Sequence, residues 1–335
     1  MGRDIVVAGA SAGGVEALGE LVSGLPGDLP ASVFVVLHTP PTATSQLPAI
    51  LARSGPLPVV HATDGMAIEH GRIYVAPPDY HLVLQTGSVR VVYGPKENRC
   101  RPAVDVLFRG AAVAYGPRVV GVLLSGLLSD GTAGMRAIKQ RGGLALVQHP
   151  REALFGAMPA NAIAGDDIDA ILPLADLSAR LVELAHAPTP ERETPVAGTM
   201  RQEAELVKTF GSRELMTEQH PGTPSGIGCP ECGGVLWELP EKEDLRFRCR
   251  IGHAYSPESL MLAQGESLED ALWVALRTLQ EQVDISTRLA ARAAEWQQDA
   301  ARQQYAERAA AAAKRAQTLQ RLLEDGPLPP PPTGT

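Results

Sequence analysis

Four short, almost uninterrupted apolar runs occupy the first half of the 335-residue chain. They lie at residues 4–8, 32–37, 118–124 and 144–148. Continuous rather than alternating apolar runs are typical of strands that are covered on both faces of a parallel sheet. Amphipathic stretches with helical spacing separate the runs. We therefore predict an α/β fold over residues 4 to about 186, with a mostly parallel, doubly wound sheet.

A different pattern separates the second run from the third. Residues 71–77 and 81–92 are rich in residues that favour strands, and Gly87 divides the second of these stretches. A glycine in that position is typical of a hairpin turn. We expect an antiparallel hairpin section to be inserted here.

Composition excludes several classes of protein. Hydrophobic residues make up 44% of the chain, enough for a large core, and the formal net charge is -8. Binding to nucleic acid needs a basic face that this balance does not supply, so we expect no nucleic acid partner. No stretch approaches the roughly 20 apolar residues of a spanning helix, and no signal-peptide pattern opens the chain. We expect a cytoplasmic protein without membrane insertion.

The first apolar run ends in a glycine-rich turn. Residues 9–13 read Gly-Ala-Ser-Ala-Gly and open directly into a helical pattern at 15–22. This G-x-S-x-G turn between strand and helix is typical of a nucleophile elbow, which exposes the serine hydroxyl above the sheet edge. The free N–H groups of the following helix would face a developing oxyanion. A phosphate-binding or dinucleotide-binding turn is the alternative, although the P-loop ending and the Rossmann glycine spacing are both missing.

Polar residues follow three of the apolar runs. Ser11 follows the first, His38 the second and Asp130 the third. The carboxyl ends of parallel strands form the ligand-binding edge of an open sheet, so these three side chains could act as nucleophile, base and orienting carboxylate. From the residues alone, His149 competes for the role of base. Three further aspartates, Asp64, Asp79 and Asp105, compete with Asp130.

Five segments together resemble the catalytic domain of the CheB methylesterases. They are residues 8–14, 35–38, 74–77, 101–108 and 124–131. The resemblance covers residues 4 to about 185. It implies a protein-glutamate methylesterase of chemotaxis signal transduction, a hydrolase that releases methanol from methylated glutamates and in some members also deamidates glutamine. It also implies Ser11 as nucleophile, His38 as base and Asp130 as the orienting residue of the catalytic triad.

The resemblance implies the surroundings of the triad as well. The backbone N–H groups of Ala12, Gly13 and the Leu127 loop would hold the oxyanion. Independently of the resemblance, arginine suits carboxylate recognition, so Arg101 is a candidate for pairing with acidic groups on the substrate helix; an exposed side chain without this role is the equal alternative. Methylated cytoplasmic helices of chemoreceptors and other chemotaxis signalling proteins are the implied partners. A signalling adaptor with a vestigial esterase domain and a small-molecule carboxylesterase are the alternative functions.

The chain departs from the CheB pattern at several points. Ala12 stands where threonine is usual, and Leu127 and Leu128 stand where Met-Gly is usual. We expect retained esterase activity with weaker stabilisation of the oxyanion. The chain begins with the first esterase strand rather than with a phosphorylated receiver domain, so we expect no activation by phosphorylation within the chain.

Three cysteines and a histidine late in the chain have the spacing of metal ligands. Cys229 and Cys232 form a CxxC pair, and Cys249 and His253 form a CxxxH pair. Four such donors without a fifth are typical of one closed, structural zinc site, so catalysis needs no cofactor. A set of reduced free thiols is the alternative. Cys100 stands apart and is expected to be inert.

The composition predicts five segments. Residues 1–187 form the catalytic domain and 188–226, rich in Pro, Thr, Glu and Gly, a flexible linker. Residues 227–256 form a zinc-ribbon-like module, 257–325 a helical segment of one long helix or a hairpin, and 326–335 a disordered Pro-rich tail. We expect residues 1–187 to fold and act alone, and removal of zinc to leave the esterase activity intact.

Overall fold

A computed structural model describes residues 2–42, 44–165, 168–189, 194–208, 222–239 and 245–324. The predicted Pro-rich tail at 326–335 lies outside these residues. The chain divides into two compact units between Leu260 and Met261.

The first unit contains both strands and helices. In order, these are β1 (Ile5–Ala10), α1 (Gly14–Ser23), β2 (Ser32–Leu37), α2 (Leu47–Ser54), β3 (Val59–His61), β4 (Arg72–Val75), β5 (His81–Gln85), β6 (Ser88–Val92), α3 (Val104–Tyr115), β7 (Val119–Leu123), α4 (Thr132–Gln140), β8 (Leu144–Gln148), α5 (Ala157–Gly165), β9 (Ala170–Leu172), α6 (Leu174–His186), α7 (Gly198–Lys208), β10 (Thr223–Gly228), β11 (Val235–Glu238), β12 (Phe247–Cys249) and β13 (Ala254–Tyr255).

Seven strands form one sheet in the order β3-β4-β2-β1-β7-β8-β9. Every neighbouring pair in it is parallel. The strand order reverses beside β1, which is the topological switch point where open α/β sheets bind their ligands. The predicted α/β fold with a mostly parallel sheet is confirmed. The sequence does not predict β3 and β9, because strands of three residues are too short to be recognised as separate apolar runs.

Alternate residues of the central strands enter two different cores. In β1, Val6 and Ala8 pack with α1, α2 and α6, whereas Ile5 and Val7 pack with α3, α4 and α5. Both faces of each strand are therefore covered by helices, which explains why these strands read as continuous apolar runs.

The antiparallel section is shorter than predicted. Strands β5 and β6 form a hairpin that turns at Gly87, whose φ of 81° suits glycine. This hairpin is a separate two-stranded sheet. Residues 71–77 do not belong to it, because β4 pairs in parallel with β2 and β3.

The predicted flexible linker contains a packed helix. In α7, Met200, Ala204 and Val207 are buried, and the helix contacts α3 and β6. The spacing of these three residues, at four and three positions, is that of an amphipathic helix whose apolar face is covered. In the described part of the predicted linker at 188–226, α7 is thus a packed helix of the first unit.

The described residues between 222 and 256, here called the cysteine module, form a four-stranded antiparallel sheet in the order β10-β11-β12-β13. The module belongs to the same compact unit as the seven-stranded sheet. An isolated bridge joins its Ala254 to Glu97 of the catalytic region.

The helical segment consists of two helices rather than one. They are α8 (Pro257–Glu295) and α9 (Asp299–Glu324), and Gln297 between them has a left-handed backbone with φ 55°. None of the helices in the described parts of the chain is both long enough and apolar enough to cross a membrane.

Candidate active site

The glycine-rich turn after β1 brings Ser11 to the carboxyl edge of the sheet. Gly13 has φ 70° and precedes α1 directly. A Cβ on Gly9 would lie 2.3 Å from Val104 Cγ1, so this position has no room for a side chain. The turn therefore needs its glycines both for backbone conformation and for close packing.

Ser11, His38 and Asp130 form one chain of contacts. Nδ1 of His38 lies 3.1 Å from Ser11 Oγ, and Nε2 of His38 lies 2.7 Å from Asp130 Oδ2. When Nε2–H donates to the carboxylate, Nδ1 has a free lone pair that can accept the serine proton. Chymotrypsin-type triads use the two ring nitrogens in the opposite sense. The sequence contains no signal for this choice of ring nitrogen.

Asp130 is held by four hydrogen bonds. His38 Nε2 and Val104 N donate to Oδ2, and Asn98 Nδ2 and Asp105 N donate to Oδ1. Burial opposes a charge here, but the hydrogen bonds and the charge of His38 hold the pKa of Asp130 below its ordinary value. The carboxylate therefore stays ionised and accepts the proton of His38 Nε2 as a hydrogen bond.

The environment of His38 favours its protonated form. Burial opposes that charge, yet Cys100 and Asp130 together raise the pKa of His38 above its ordinary value. The half-buried Cys100 is thus one of the two groups that favour the charged ring. A cysteine isolated in sequence gives no indication of a neighbour 62 positions away.

The loop after β7 closes the site beside Ser11. Ser11 N donates to Ser125 O, and Ser125 Oγ donates to Ala12 O. A Cβ on Gly126 would lie 2.9 Å from Ser11 Cβ and 2.3 Å from Met158 Sδ, so the loop approaches as closely as glycine allows. Leu127 is 49% exposed at the tip of this loop.

Two backbone donors beside Ser11 are available. Within the described chain, the N–H groups of Ala12 and Gly13 make no hydrogen bond to protein, whereas Gly14 N donates to Ser11 O. Gly13 directly precedes α1, so its N–H is one of the groups that a helix start leaves without partners, and the N–H of Ala12 lies in the same turn. They are suited to an oxyanion on a carbonyl attacked by Ser11.

The competing residues lie elsewhere or have other partners. His149 Nδ1 accepts from Arg151 N in the turn after β8. Asp64 pairs with Arg90, and Asp79 with Arg101. Asp105 lies next to Asp130, where burial and the neighbouring carboxylate raise its pKa, and its Oδ1 accepts from Gly131 N and Gly134 N.

The guanidinium of Arg101 is already paired with groups of the same chain. Its guanidinium donates to Asp79 Oδ1 at 2.7 Å and to Gly94 O at 2.7 Å, and it lies 3.6 Å from the centre of the Tyr93 ring. The side chain is only 11% exposed. A role in pairing with substrate would require this internal ion pair to open.

Comparison with known proteins agrees with this geometry. A family model described as CheB methylesterase matches residues 6–181. The chain belongs to the CheB methylesterase family. The solved structure of the Thermotoga maritima CheB methylesterase catalytic domain aligns with a TM-score of 0.52 and 34% identity, covering 54% of this chain and 98% of that one.

Curated relatives have the same family name. A protein-glutamate methylesterase/protein-glutamine glutaminase of Nocardioides sp. is 40% identical over 54% of this chain and 50% of its own length. A putative protein of the same name from Leptospira interrogans is 33% identical over 55% of this chain and 96% of its own length. The chain spans about half the length of several of the relatives it matches. The segment of this chain that the family model matches, residues 6–181, does not include the cysteine module.

The module brings its three cysteines and histidine together. Their four donor atoms all lie within 4.8 Å of one another. Cys232 Sγ lies 3.7 Å from Cys249 Sγ, and His253 Nδ1 lies 3.5 Å from Cys249 Sγ and 3.7 Å from Cys229 Sγ. Tetrahedral zinc with ordinary bond lengths requires edges of about 3.8 Å between sulfurs and about 3.6 Å between sulfur and nitrogen. The donor set therefore has the size of a tetrahedral zinc site.

The thiols are also crowded electrostatically. The hydrogen bond from Cys249 lowers the pKa of Cys229, and the same contact raises the pKa of Cys249. Such close thiols cannot all ionise together unless a cation compensates their charge.

Proposed function

We propose that this protein is a serine hydrolase that removes methyl groups from glutamyl methyl esters of chemoreceptors and releases methanol. The observation that carries the proposal is the continuous contact from Ser11 Oγ through His38 to Asp130 at the carboxyl ends of three strands. The names of the relatives support a glutamyl ester as substrate. The methylated cytoplasmic helices of chemoreceptors are the proposed partners.

The chemistry follows from the orientation of His38. Its Nδ1 accepts the proton of Ser11 as Oγ attacks the γ-carbonyl of the ester, and Asp130 stabilises the resulting imidazolium without taking a proton itself. The N–H groups of Ala12 and Gly13 donate to the oxyanion. His38 then returns the proton to the methoxide, methanol leaves, and a water activated by the same nitrogen hydrolyses the acyl-enzyme.

We also propose one structural zinc per chain on Cys229, Cys232, Cys249 and His253. The size of the donor set and the crowding of its thiols support a cation there. Metal analysis of protein purified without chelators should return one zinc per chain. Protein that is folded and metal-free would refute this assignment.

The proposed activity is tested on a methylated cytoplasmic fragment of a chemoreceptor. The full chain should release methanol from the fragment and leave glutamate at the methylated positions, as shown by peptide mass spectrometry. Ser11→Ala is the matched control and should release none. Binding of the fragment without methanol release would favour the adaptor, and hydrolysis of small esters but not of the fragment would favour a small-molecule esterase.

A further inference from the structure

Asn98 connects the triad aspartate to the C-terminal part of the first unit. Its Nδ2 donates to Asp130 Oδ1 at 3.1 Å and to Asp105 Oδ2 at 2.9 Å. Its Oδ1 accepts from Ser256 N at 2.9 Å and from Ser259 Oγ at 3.1 Å. The side chain is buried, so water has little access to the hydrogen bonds at either end of the amide.

The backbone of Asn98 is also fixed by the cysteine module. Asn98 N donates to Ala254 O at 2.8 Å, and Ala254 N donates to Lys96 O at 3.2 Å. Ala254 directly follows His253, one of the four proposed zinc ligands. A left-handed backbone with φ 49° at Asn98 needs such contacts, although asparagine tolerates it better than most residues.

A second contact joins Ser256 to the loop that contains Asp130. Ser129 Oγ donates to Ser256 Oγ at 2.8 Å. Ser129 and Asp130 are consecutive, so Ser256 contacts the aspartate loop through Ser129 and through Asn98 together.

Buried charges hold the module in this position. Glu97 Oε1 accepts from Arg109 at 2.6 Å and from Arg248 at 2.9 Å. Glu203 of α7 accepts from Arg248 at 3.1 Å and from Arg246 at 3.3 Å. Arg248 and Glu97 are each 1% exposed. Separating the module from the catalytic region would take Arg248 away from both glutamates and leave its buried charge without these partners, which is strongly unfavourable.

Arg248 links this charge cluster to the metal loop. It directly precedes Cys249, and its Nη1 donates to Gly252 O at 2.9 Å. A metal bound to Cys249 and His253 would fix the loop between β12 and β13, because both of its ends would be ligands. A module this small has little core of its own, so its metal-binding free energy is largely folding free energy.

From these contacts we infer that metal bound at Cys229, Cys232, Cys249 and His253 positions Asp130 for catalysis, with Asn98 as the connecting positioning residue. The inference rests on the proposed esterase function. It replaces the expectation, drawn from sequence, that the catalytic region acts independently of the module. Loss of metal would loosen residues 249–256, release Asn98, and leave Asp130 less well fixed against His38.

The metal arm of the test uses the full chain loaded with zinc and treated with a chelator. Hydrolysis of an activated aryl ester gives kcat and KM, with kcat normalised to the fraction of Ser11 that a fluorophosphonate labels. Removal of zinc should lower kcat about 10- to 100-fold, the same size of effect as loss of a residue that orients a metal ligand, and leave KM within about twofold. Hydrogen exchange at the Asn98 amide should accelerate, and added zinc should reverse both effects. The chelator should have no further effect on Cys249→Ser.

The second arm tests the route through Asn98. Ser259→Ala removes one hydrogen bond to Asn98 Oδ1 and should lower kcat about fivefold, the value of one net hydrogen bond, with KM unchanged. In the Asn98→Ala background the same substitution should cost nothing further, because its effect passes through Asn98. If Ser259 had only a structural role, Ser259→Ala would lower the melting temperature, but its effect on kcat would not depend on whether Asn98 is present.

The outcomes separate the two proposals. If zinc-loaded wild type neither hydrolyses the ester nor reacts with the fluorophosphonate, the proposed function fails. If it does both, and chelation changes neither kcat nor exchange at Asn98, the esterase stands and the metal coupling is wrong. Additive effects of Ser259→Ala and Asn98→Ala would refute Asn98 as the connection.

Discussion

Nε2 of His38 lies 2.7 Å from Asp130 Oδ2, which leaves Nδ1 to face Ser11. This orientation determines which nitrogen keeps its proton when the ring is neutral. Asp130 thus favours one tautomer of the ring and, together with Cys100, raises the pKa of His38.

Asp130→Asn should lower kcat/KM about a thousandfold to ten-thousandfold, because an amide no longer favours the tautomer with the proton on Nε2. The base must be neutral, so the wild-type rate rises with pH through the pKa of His38. Asp130 raises that pKa, and its replacement should move the acid limb toward lower pH. A pH profile of kcat/KM for both proteins measures this. An acid limb that stays in place would refute the role of Asp130.

The second prediction concerns Ala12 and the choice between ester and amide. A primary amide is less electrophilic than an ester, so it depends more on stabilisation of the oxyanion. With Ala12 in place of threonine, methanol release from a methylated receptor fragment should be much faster than ammonia release from its glutamine form. Loss of one oxyanion donor costs about a hundredfold or more. Ala12→Thr should raise the rate of ammonia release, and equal rates in wild type would contradict this explanation.

The third prediction concerns the buried charge cluster. Arg248→Met should lower the free energy of unfolding by about 3 kcal/mol or more, since Glu97 and Glu203 each lose a buried partner. Arg180→Met is the matched control, because the Arg180–Glu183 pair is exposed and should be worth less than about 1 kcal/mol. Urea unfolding followed by circular dichroism measures both. Equal losses in the two variants would refute the importance of the cluster.

The same cluster should depend on pH with a defined sign. Burial opposes the charge of Glu203, but Arg246 and Arg248 hold its pKa below its ordinary value. Its contribution is therefore complete above the ordinary glutamate pKa of about 4.3 and is lost as pH falls toward the folded value. The difference in unfolding free energy between wild type and Glu203→Gln should be largest near neutral pH and should shrink in acid. A difference that grows on acidification would contradict this sign.

The central sheet could be predicted because each of its long strands can be recognised from its own few residues. Each of β1, β2, β7 and β8 is buried on both faces, so each leaves an apolar run in the sequence. The ends of the first three runs then mark Ser11, His38 and Asp130 without knowledge of any distant contact. The choice between His38 and His149 depends on which strands are neighbours, and in the sequence only the resemblance to a family favours His38.

The connection between module and triad could not be predicted from the sequence. It depends on contacts of Asn98 with Ser259, 161 positions later in the chain, and on Arg248, and each of these residues is ordinary in its local sequence. A polar residue in a loop is usually solvated, and nothing local indicates that Asn98 contacts Asp130 on one side and Ser259 on the other. The Pro-rich composition after residue 187 instead favoured a flexible linker, although α7 supplies Glu203 to the charge cluster.

The assignment of Ser11 as the nucleophile can be tested by covalent labelling. Full-length protein treated with a fluorophosphonate should gain one adduct, located on Ser11 by peptide mass spectrometry. Ser11→Ala should gain none, His38→Ala should react at least a hundredfold more slowly, as expected for removal of a general base, and His149→Ala should react like wild type. An adduct at another residue, or loss of labelling in His149→Ala with His38→Ala unaffected, would contradict the assignment of the active site.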